Sequence, residues 1–216
     1  MLSFVSAHLS KLDNIQYAFK DNYVAVIAKY KEDISWLTDL KCKYVVYDKS
    51  KDIPNIGREA ETYLRYIIEH YDTLPEYVMF LQGHPFDHLN IGTIQYLNKA
   101  INTAYPPNCV VPLGIMRHFW TDRPVNASKS FRALFDAEPP PAFFHVTGAQ
   151  YIVSRSCILN HPKKFYETVR QVLVDTYDLI ELPNNSLVCP WALEALWPCI
   201  FNVSFPSKDI KYSDLL

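Results

Sequence analysis

The sequence predicts an α/β domain built on a mostly parallel sheet flanked by helices, and three observations carry that expectation. Apolar runs of strand length at residues 24–28, 44–47 and 77–81 are continuous rather than alternating, as strands covered on both faces require. Stretches long enough for helices separate them, a short one at 32–40 and a long one at 57–71. The resulting order, strand–helix–strand–helix–strand, starts a parallel sheet.

The long helix is the clearest element. Ala60, Tyr63, Leu64, Ile67, Ile68 and Tyr71 fall on one stripe at helical period. Glu61, Arg65 and Glu69 are expected on the opposite, solvent side, where the Glu61-to-Arg65 order is worth about 0.3 kcal/mol. Pro75 separates this helix from the third strand. Ile91, Ile94, Leu97 and Ile101 predict a helix over 90–102, and a short strand at 109–111 is expected to stop at Pro112. Residues 117–145 show no sustained period and read as an irregular loop region. Order returns with a strand at 150–153 and a helix opening at Pro162, whose inner stripe is Phe165, Val169, Val172, Leu173 and Thr176. A last helix starts at Pro190 and packs through Leu193, Leu196, Trp197 and Ile200, with Pro198 expected to kink or end it. Residues 1–21 read as an N-terminal extension, and 1–216 as a single domain.

Composition narrows the function. A chain of 216 residues that is 49% hydrophobic has ample material for one core. The formal charge of −2, with no basic run, argues against nucleic acid as a partner. No apolar stretch approaches the ~20 residues of a membrane span, and residues 1–20 lack the apolar core of a secretion signal, so a cytoplasmic location is expected. The five cysteines are odd in number and form no Cys-x-x-Cys pair, which predicts free thiols. Only five glycines are present and none builds Gly-x-Gly-x-x-Gly or a phosphate-cradling P-loop, so neither NAD nor flavin is expected.

Three segments hold side chains suited to chemistry. Asn55-Ile-Gly-Arg-Glu59 precedes the long helix, whose N-terminal N–H groups attract phosphate or carboxylate, and Arg58 adds a fork of donors for a diphosphate. The same residues also suit a structural part, with Asn55 as cap, Gly57 as turn and Glu59 complementing the helix dipole. In Phe80-Leu-Gln-Gly-His-Pro-Phe-Asp-His88 a strand runs into Gln82, His84, Asp87 and His88. His84, Asp87 and His88 could ligate a divalent cation, bind sugar hydroxyls or supply one acid or base; a turn set by Gly83 and Pro85 is the structural alternative. Glu194 lies among tryptophans, where a carboxylate tends toward a raised pKa that suits a general base. Arg117 and Trp120, on the irregular stretch, could grip a sugar or anchor an ordinary loop.

Taken together these segments resemble a family catalogued as a domain of unknown function, whose members look distantly like GT-A-fold glycosyltransferases. The resembling residues are Val24-Ala-Val-Ile-Ala-Lys-Tyr-Lys-Glu-Asp-Ile-Ser-Trp36, Asn55-Ile-Gly-Arg-Glu-Ala-Glu-Thr-Tyr-Leu64, the 80–88 segment, Gly148-Ala-Gln-Tyr-Ile-Val-Ser-Arg155 and Leu193-Glu-Ala-Leu-Trp197. The resemblance implies a GT-A-like (Rossmann-like), mixed but mostly parallel sheet. It implies a donor site of Lys29, Tyr30, Glu32 and Asp33 near the nucleotide base, with Asn55, Arg58, Glu59 and Gln82 beside them. Gln150 would lie on the acceptor side with Arg117 and Trp120, and Glu194 would deprotonate the acceptor hydroxyl. The chain departs from that pattern where an Asp-x-Asp metal motif belongs, since Gln82 and His84 stand there. Either Asp87 and a histidine hold Mn2+ or Mg2+, or basic side chains neutralise the leaving diphosphate, or catalysis has been lost.

The function expected is transfer of a hexosyl or pentosyl group from a nucleotide sugar to a glycan or other hydroxyl acceptor. Its rivals are a non-catalytic carbohydrate- or protein-binding module and a metal-dependent hydrolase with His84, Asp87 and His88 as ligands.

Overall fold

The computed structural model describes residues 16–51, 54–120, 127–177, 187–202, 204–205 and 207–215, without the side chains of 118–120. In chain order, β1 (Lys20–Lys29) leads through a 3-10 turn (Ser35–Asp39) to β2 (Cys42–Asp48), α1 (Arg58–His70) and β3 (Tyr77–Gln82). Then come α2 (Ile94–Asn102), β4 (Val110–Pro112), β5 (Met116–Trp120), α3 (Ala127–Leu134) and β6 (Ala142–Val146). The remainder is β7 (Tyr151–Ser154), α4 (Arg155–Ile158), α5 (Lys163–Thr176) and α6 (Pro190–Ile200).

The main sheet has the order β2-β1-β3-β7-β4. β1 is parallel to both β2 and β3, whereas β7 is antiparallel to both β3 and β4. The fold is therefore mixed α/β, and the parallel expectation holds for the first three strands only. The continuous apolar runs have the predicted cause. Val26, Val78 and Phe80 enter a core shared with α1, α5 and α6, while Ala25, Ile27, Met79 and Leu81 enter a second core with Leu97 and Ile101 of α2. Alternate residues thus bury on opposite faces of one sheet.

Several expectations are corrected. The region 117–145 is not an irregular loop: it holds most of β5 and β6 and all of α3, and β5 pairs antiparallel with β6 as a separate two-stranded sheet. Ala127, Phe131 and Leu134 are buried at helical spacing, a signal too short to stand out between strands. The 32–40 stretch forms only a 3-10 turn. β4 does end at Pro112 as expected, whereas Pro198 does not end α6, which continues to Ile200. Glu61 is buried rather than solvent-facing. The cysteines are free as expected, Cys109 alone being only partly buried.

Candidate functional site

Three chain segments leave the sheet side by side at the carboxyl ends of β1, β2 and β3. The ladder continues one step past the strands, because Gly83 N–H donates to the Ala28 carbonyl (2.8 Å) and Lys49 N–H to the Lys29 carbonyl (2.8 Å). The chain leaves β1 toward β2 on one side and leaves β3 toward the other, so a crevice opens between them, the usual place for a ligand in an open α/β sheet. That crevice is a cleft of about 410 Å3. Lys29 lines it from the end of β1, Tyr30 and Glu32 from the loop just after, and Lys49 from just past β2. Asn55, Arg58 and Glu59 line it from the start of α1, and Gln82, His84, Asp87 and His88 from the loop after β3. A larger groove of about 650 Å3 runs between α5 and the residues after 208, lined by side chains of both charges such as Arg170 and Asp209, and holds none of the expected site residues.

Most charges in the cleft are already matched. Lys29 Nζ lies 2.6 Å from Asp48, and this bond together with the Ser50 hydroxyl lowers the Asp48 carboxyl to a pKa of about 2. Glu32 accepts from the N–H groups of Tyr30 (2.6 Å) and Lys31 (3.1 Å), and packs against Gly83. Lys49 is buried, donates to the carbonyls of Ile56 (2.7 Å) and Arg58, and pairs with Glu61 at 3.1 Å. Glu61 also receives Arg65 at 2.8 Å and Arg170 at 2.7 Å. Burial alone would raise the Glu61 pKa, but Lys49, Arg170 and Arg65 together hold it below the usual value. Lys49 therefore braces the turn that begins α1, where Gly57 (φ 66°) and Arg58 (φ 51°) are both left-handed. A non-glycine residue in that region is strained, and the Lys49 bond to its carbonyl is what holds it there. The Arg58 guanidinium is half exposed and lies over the Trp191 ring, 5.5 Å from its centroid.

Asp33 stands apart from the cleft. It is exposed and binds Ser35 through that residue's N–H and hydroxyl, bonds that lower its pKa. His84 Nε2 lies 3.7 Å from Asp87, which is 77% exposed. A Cβ added at Gly148 would come within 3.0 Å of a His88 ring atom and 3.1 Å of the Gln82 amide oxygen. Among the described residues no group of three or more His, Cys, Asp or Glu side chains is arranged to hold a metal ion. His84, Asp87 and His88 all line the same cleft.

The second half of the chain contributes the back wall. Gln150 is fully buried, and its amide donates to the Pro85 carbonyl at 3.0 Å, so it holds the Gln82–His88 loop from behind rather than facing the cleft. Gly148 (φ 73°) lies between this loop and α6, and its N–H donates to Glu194 at 3.1 Å. Glu194 is half-buried, one residue behind the cleft wall. Arg117 is exposed and pairs in register with His145, whose pKa is lowered by burial and by Arg117 against the opposing pull of Glu194. The Trp120 side chain lies outside the described residues.

Sequence reasoning gave no site role to Lys49, Trp36 or Trp191. Lys49 had a usable signal, since it follows the second predicted strand as Lys29 ends the first. Trp36 donates its indole N–H to the Gly83 carbonyl at 2.9 Å and meets Phe86 edge-on, fixing the same loop. Trp191 had no signal, because its place beneath Arg58 depends on how α6 crosses α1.

These features define a mixed α/β protein with a polar cleft at the carboxyl edge of its parallel strands and the start of a helix. Residues 25–107 and 107–213 match the family described as "Protein of unknown function (DUF3431)", and the chain belongs to that family. No curated protein and no solved structure matches it.

Proposed function

We propose that the protein is a GT-A-like glycosyltransferase that moves a sugar from a nucleotide-sugar donor to a hydroxyl acceptor. The observation that carries the reading is the cleft itself, which draws eleven polar or charged side chains from four separate segments to one sheet edge. Its volume of about 410 Å3 lies within the range for small-molecule sites, roughly 300–1,000 Å3. Transfer requires stabilising a departing nucleoside diphosphate, and Arg58 at the α1 N-terminus supplies both a bidentate donor and the positive end of a helix dipole. Lys29 and Lys49 are committed to Asp48 and Glu61, which leaves Arg58 as the cleft cation with no carboxylate closer than 3.9 Å. On this reading Tyr30, Asn55 and Gln82 face the donor's nucleoside and sugar. Two carboxylates are available for the acceptor proton: Asp87 on the cleft lining and Glu194 behind Gly148.

Thermal unfolding with a panel of nucleoside diphosphates and nucleotide sugars, each with and without Mn2+ or Mg2+, tests this. Ligands that bind only the folded state raise its midpoint. The expected result is stabilisation by one nucleotide class, lost in Arg58→Ala. Stabilisation by free sugars with no response to any nucleotide would replace the transferase with a carbohydrate-binding module.

A further inference from the structure

A second cavity, of about 470 Å3, has the opposite chemistry to the cleft. Met116 of β5 pairs with Val146 of β6, and Phe144 lies two residues before Val146. Strand alternation therefore puts all three on one face of the two-stranded sheet, and all three line the cavity. Pro112 lines it from β4, the last strand of the main sheet, together with Tyr151, its partner on β7. Pro198 and Phe201 close it from the end of α6. No lining residue carries a charge, and its two amide side chains, Asn108 and Asn202, are exposed. Met116 and Phe144 are 56% and 52% exposed, which puts them at the mouth. An apolar concavity of this volume with few polar groups is the usual form of a small-molecule site. A sugar placed there would give up water contacts to proline, valine and phenylalanine side chains, whereas an apolar body gains by burial.

Short backbone links join this cavity to the cleft. His88 lines the cleft, and its carbonyl accepts the N–H of Ile115, the residue before Met116, at 3.0 Å. Thr147, the residue after Val146, donates its N–H to the Ile115 carbonyl at 3.1 Å. On α6, Glu194 takes the Gly148 N–H at 3.1 Å, and Pro198 follows it by four residues. The two therefore share one face of the helix, about 5–6 Å apart at Cβ, so a carboxylate stands one turn from the cavity wall.

We propose that this cavity binds the apolar body of an uncharged alcohol, aliphatic or aromatic, and that such an alcohol is the acceptor. Its binding stands on the cavity alone, while its part as acceptor rests on the transferase reading above. In the transfer step the alcohol oxygen bonds to the anomeric carbon of the nucleotide sugar as the bond from that carbon to the diphosphate breaks. The diphosphate leaves with the electron pair, and Glu194 takes the hydroxyl proton.

The full chain labelled with 13C at its methionine methyls offers a direct readout. Its three methionines are Met1, Met79 and Met116, of which Met116 lines the cavity and Met79 is buried in the core on the other face of the main sheet. Titrated with hexan-1-ol or benzyl alcohol, the Met116 methyl should shift saturably while Met79 stays still, and glucose should move neither. A shift with the first alone assigns an aliphatic body, and with the second alone an aromatic one. Phe144→Glu, which sets a charge at the mouth, should weaken binding by about tenfold or more. No Met116 shift with either alcohol, an equal shift with glucose, or unchanged affinity in Phe144→Glu overturns the cavity as a site. Should that variant fail to fold, calorimetry of alcohol binding to Met116→Glu decides the same question. Incubation of the bound alcohol with a panel of nucleotide sugars, read by mass spectrometry, tests the second part. A glycosylated alcohol is expected, and should be absent in Glu194→Gln. Sugars glycosylated in place of the alcohol would overturn its part as acceptor. Alcohol binding with no nucleotide response would sustain the cavity and overturn the transferase reading. A nucleotide response with no alcohol binding would overturn the cavity alone.

Discussion

The two halves of the chain are held together by different physics. In the first, β1–β3 and α1 form a parallel unit closed at its carboxyl edge by buried charge, with Glu61 receiving Lys49, Arg65 and Arg170. In the second, around α3 to α5, the interior is aromatic. His161 stacks on Phe165 at 4.4 Å, Phe131 meets Phe135 at 4.7 Å, and the Tyr71 and Tyr166 hydroxyls reach backbone carbonyls. Charge is costly to bury and is retained at the edge where the cleft must be shaped. The aromatic half supplies only Arg170 to that cluster and otherwise acts as a buttress, handing Gly148, Gln150 and Glu194 forward to the back of the cleft. The sharpest contrast between the halves is therefore in how each responds to losing one polar group.

The largest effect is expected at Glu61. Replacing it with Ala leaves Lys49 buried without its carboxylate and frees two arginines, a change that typically costs about 3–5 kcal/mol. The urea midpoint should fall accordingly, and the α1 turn bearing Arg58 should loosen with it. A loss below about 1 kcal/mol would mean that the charged edge is not what holds the first half together.

Acid separates the halves next. His161 is buried, its Nε2 lies 2.7 Å from the Ile200 carbonyl, and burial lowers its pKa from 6.5 to about 4. Its folded value lies below its unfolded one, so the neutral ring stabilises the fold above about pH 6.5, and that contribution is lost as pH falls toward 4. The full drop corresponds to roughly 3 kcal/mol. Glu61 also loses its contribution on acidification, but only below its ordinary value of 4.5, because its folded pKa is depressed. Stability measured by urea against pH should thus decline in two windows. His161→Asn should remove the upper one and leave the lower, and an unchanged upper window would assign it to other groups.

The same division decided what the sequence could say. The strands at 24–28, 44–47 and 77–81 were legible because burial on both faces leaves an unbroken apolar run, and α1 because its stripe is long. At the cleft, Lys29, Asn55, Arg58, Gln82, His84 and Asp87 were legible for one reason: side chains just past a parallel strand or opening a helix share an edge wherever they fall in the chain. In the second half β5 and β6 cover only five residues each, and their partners are set by tertiary pairing that no local period records. Glu61 was placed on the solvent face because helical period alone cannot know that α5 brings Arg170 to that side. The Gln150 amide donates to the Pro85 carbonyl, a contact that was not legible because the sequence marks the end of a strand but not which way its amide turns.

Gly148 joins the halves, and Gly148→Ala should couple them visibly. Its φ of 73° disfavours any Cβ, and an added one would sit 3.0 Å from His88 Cδ2 and 3.1 Å from the Gln82 amide oxygen. A stability loss of about 1–2 kcal/mol is expected from the backbone alone. Because the displaced groups are cleft residues, nucleotide-induced stabilisation should shrink as well. A variant that loses stability yet keeps the full nucleotide response would show that the back wall does not position Gln82 and His88.

The smallest effect on stability, and the most telling contrast between folding and function, belongs to Arg58. Its side chain is 52% exposed and makes one ring contact with Trp191, so its truncation removes little packing. Its backbone is another matter, since φ of 51° is a conformation glycine adopts freely and other residues resist. Arg58→Ala and Arg58→Gly lose the same guanidinium and differ only in that backbone cost. The glycine variant should be more stable than the alanine variant by about 1 kcal/mol, and within about 0.5 kcal/mol of the wild type. Both should lose the nucleotide response equally. A strained arginine where glycine would fold as well fits a guanidinium that acts on something entering the cleft. Equal stability of the two variants would remove the strain, and an undiminished nucleotide response in either would remove Arg58 from the site.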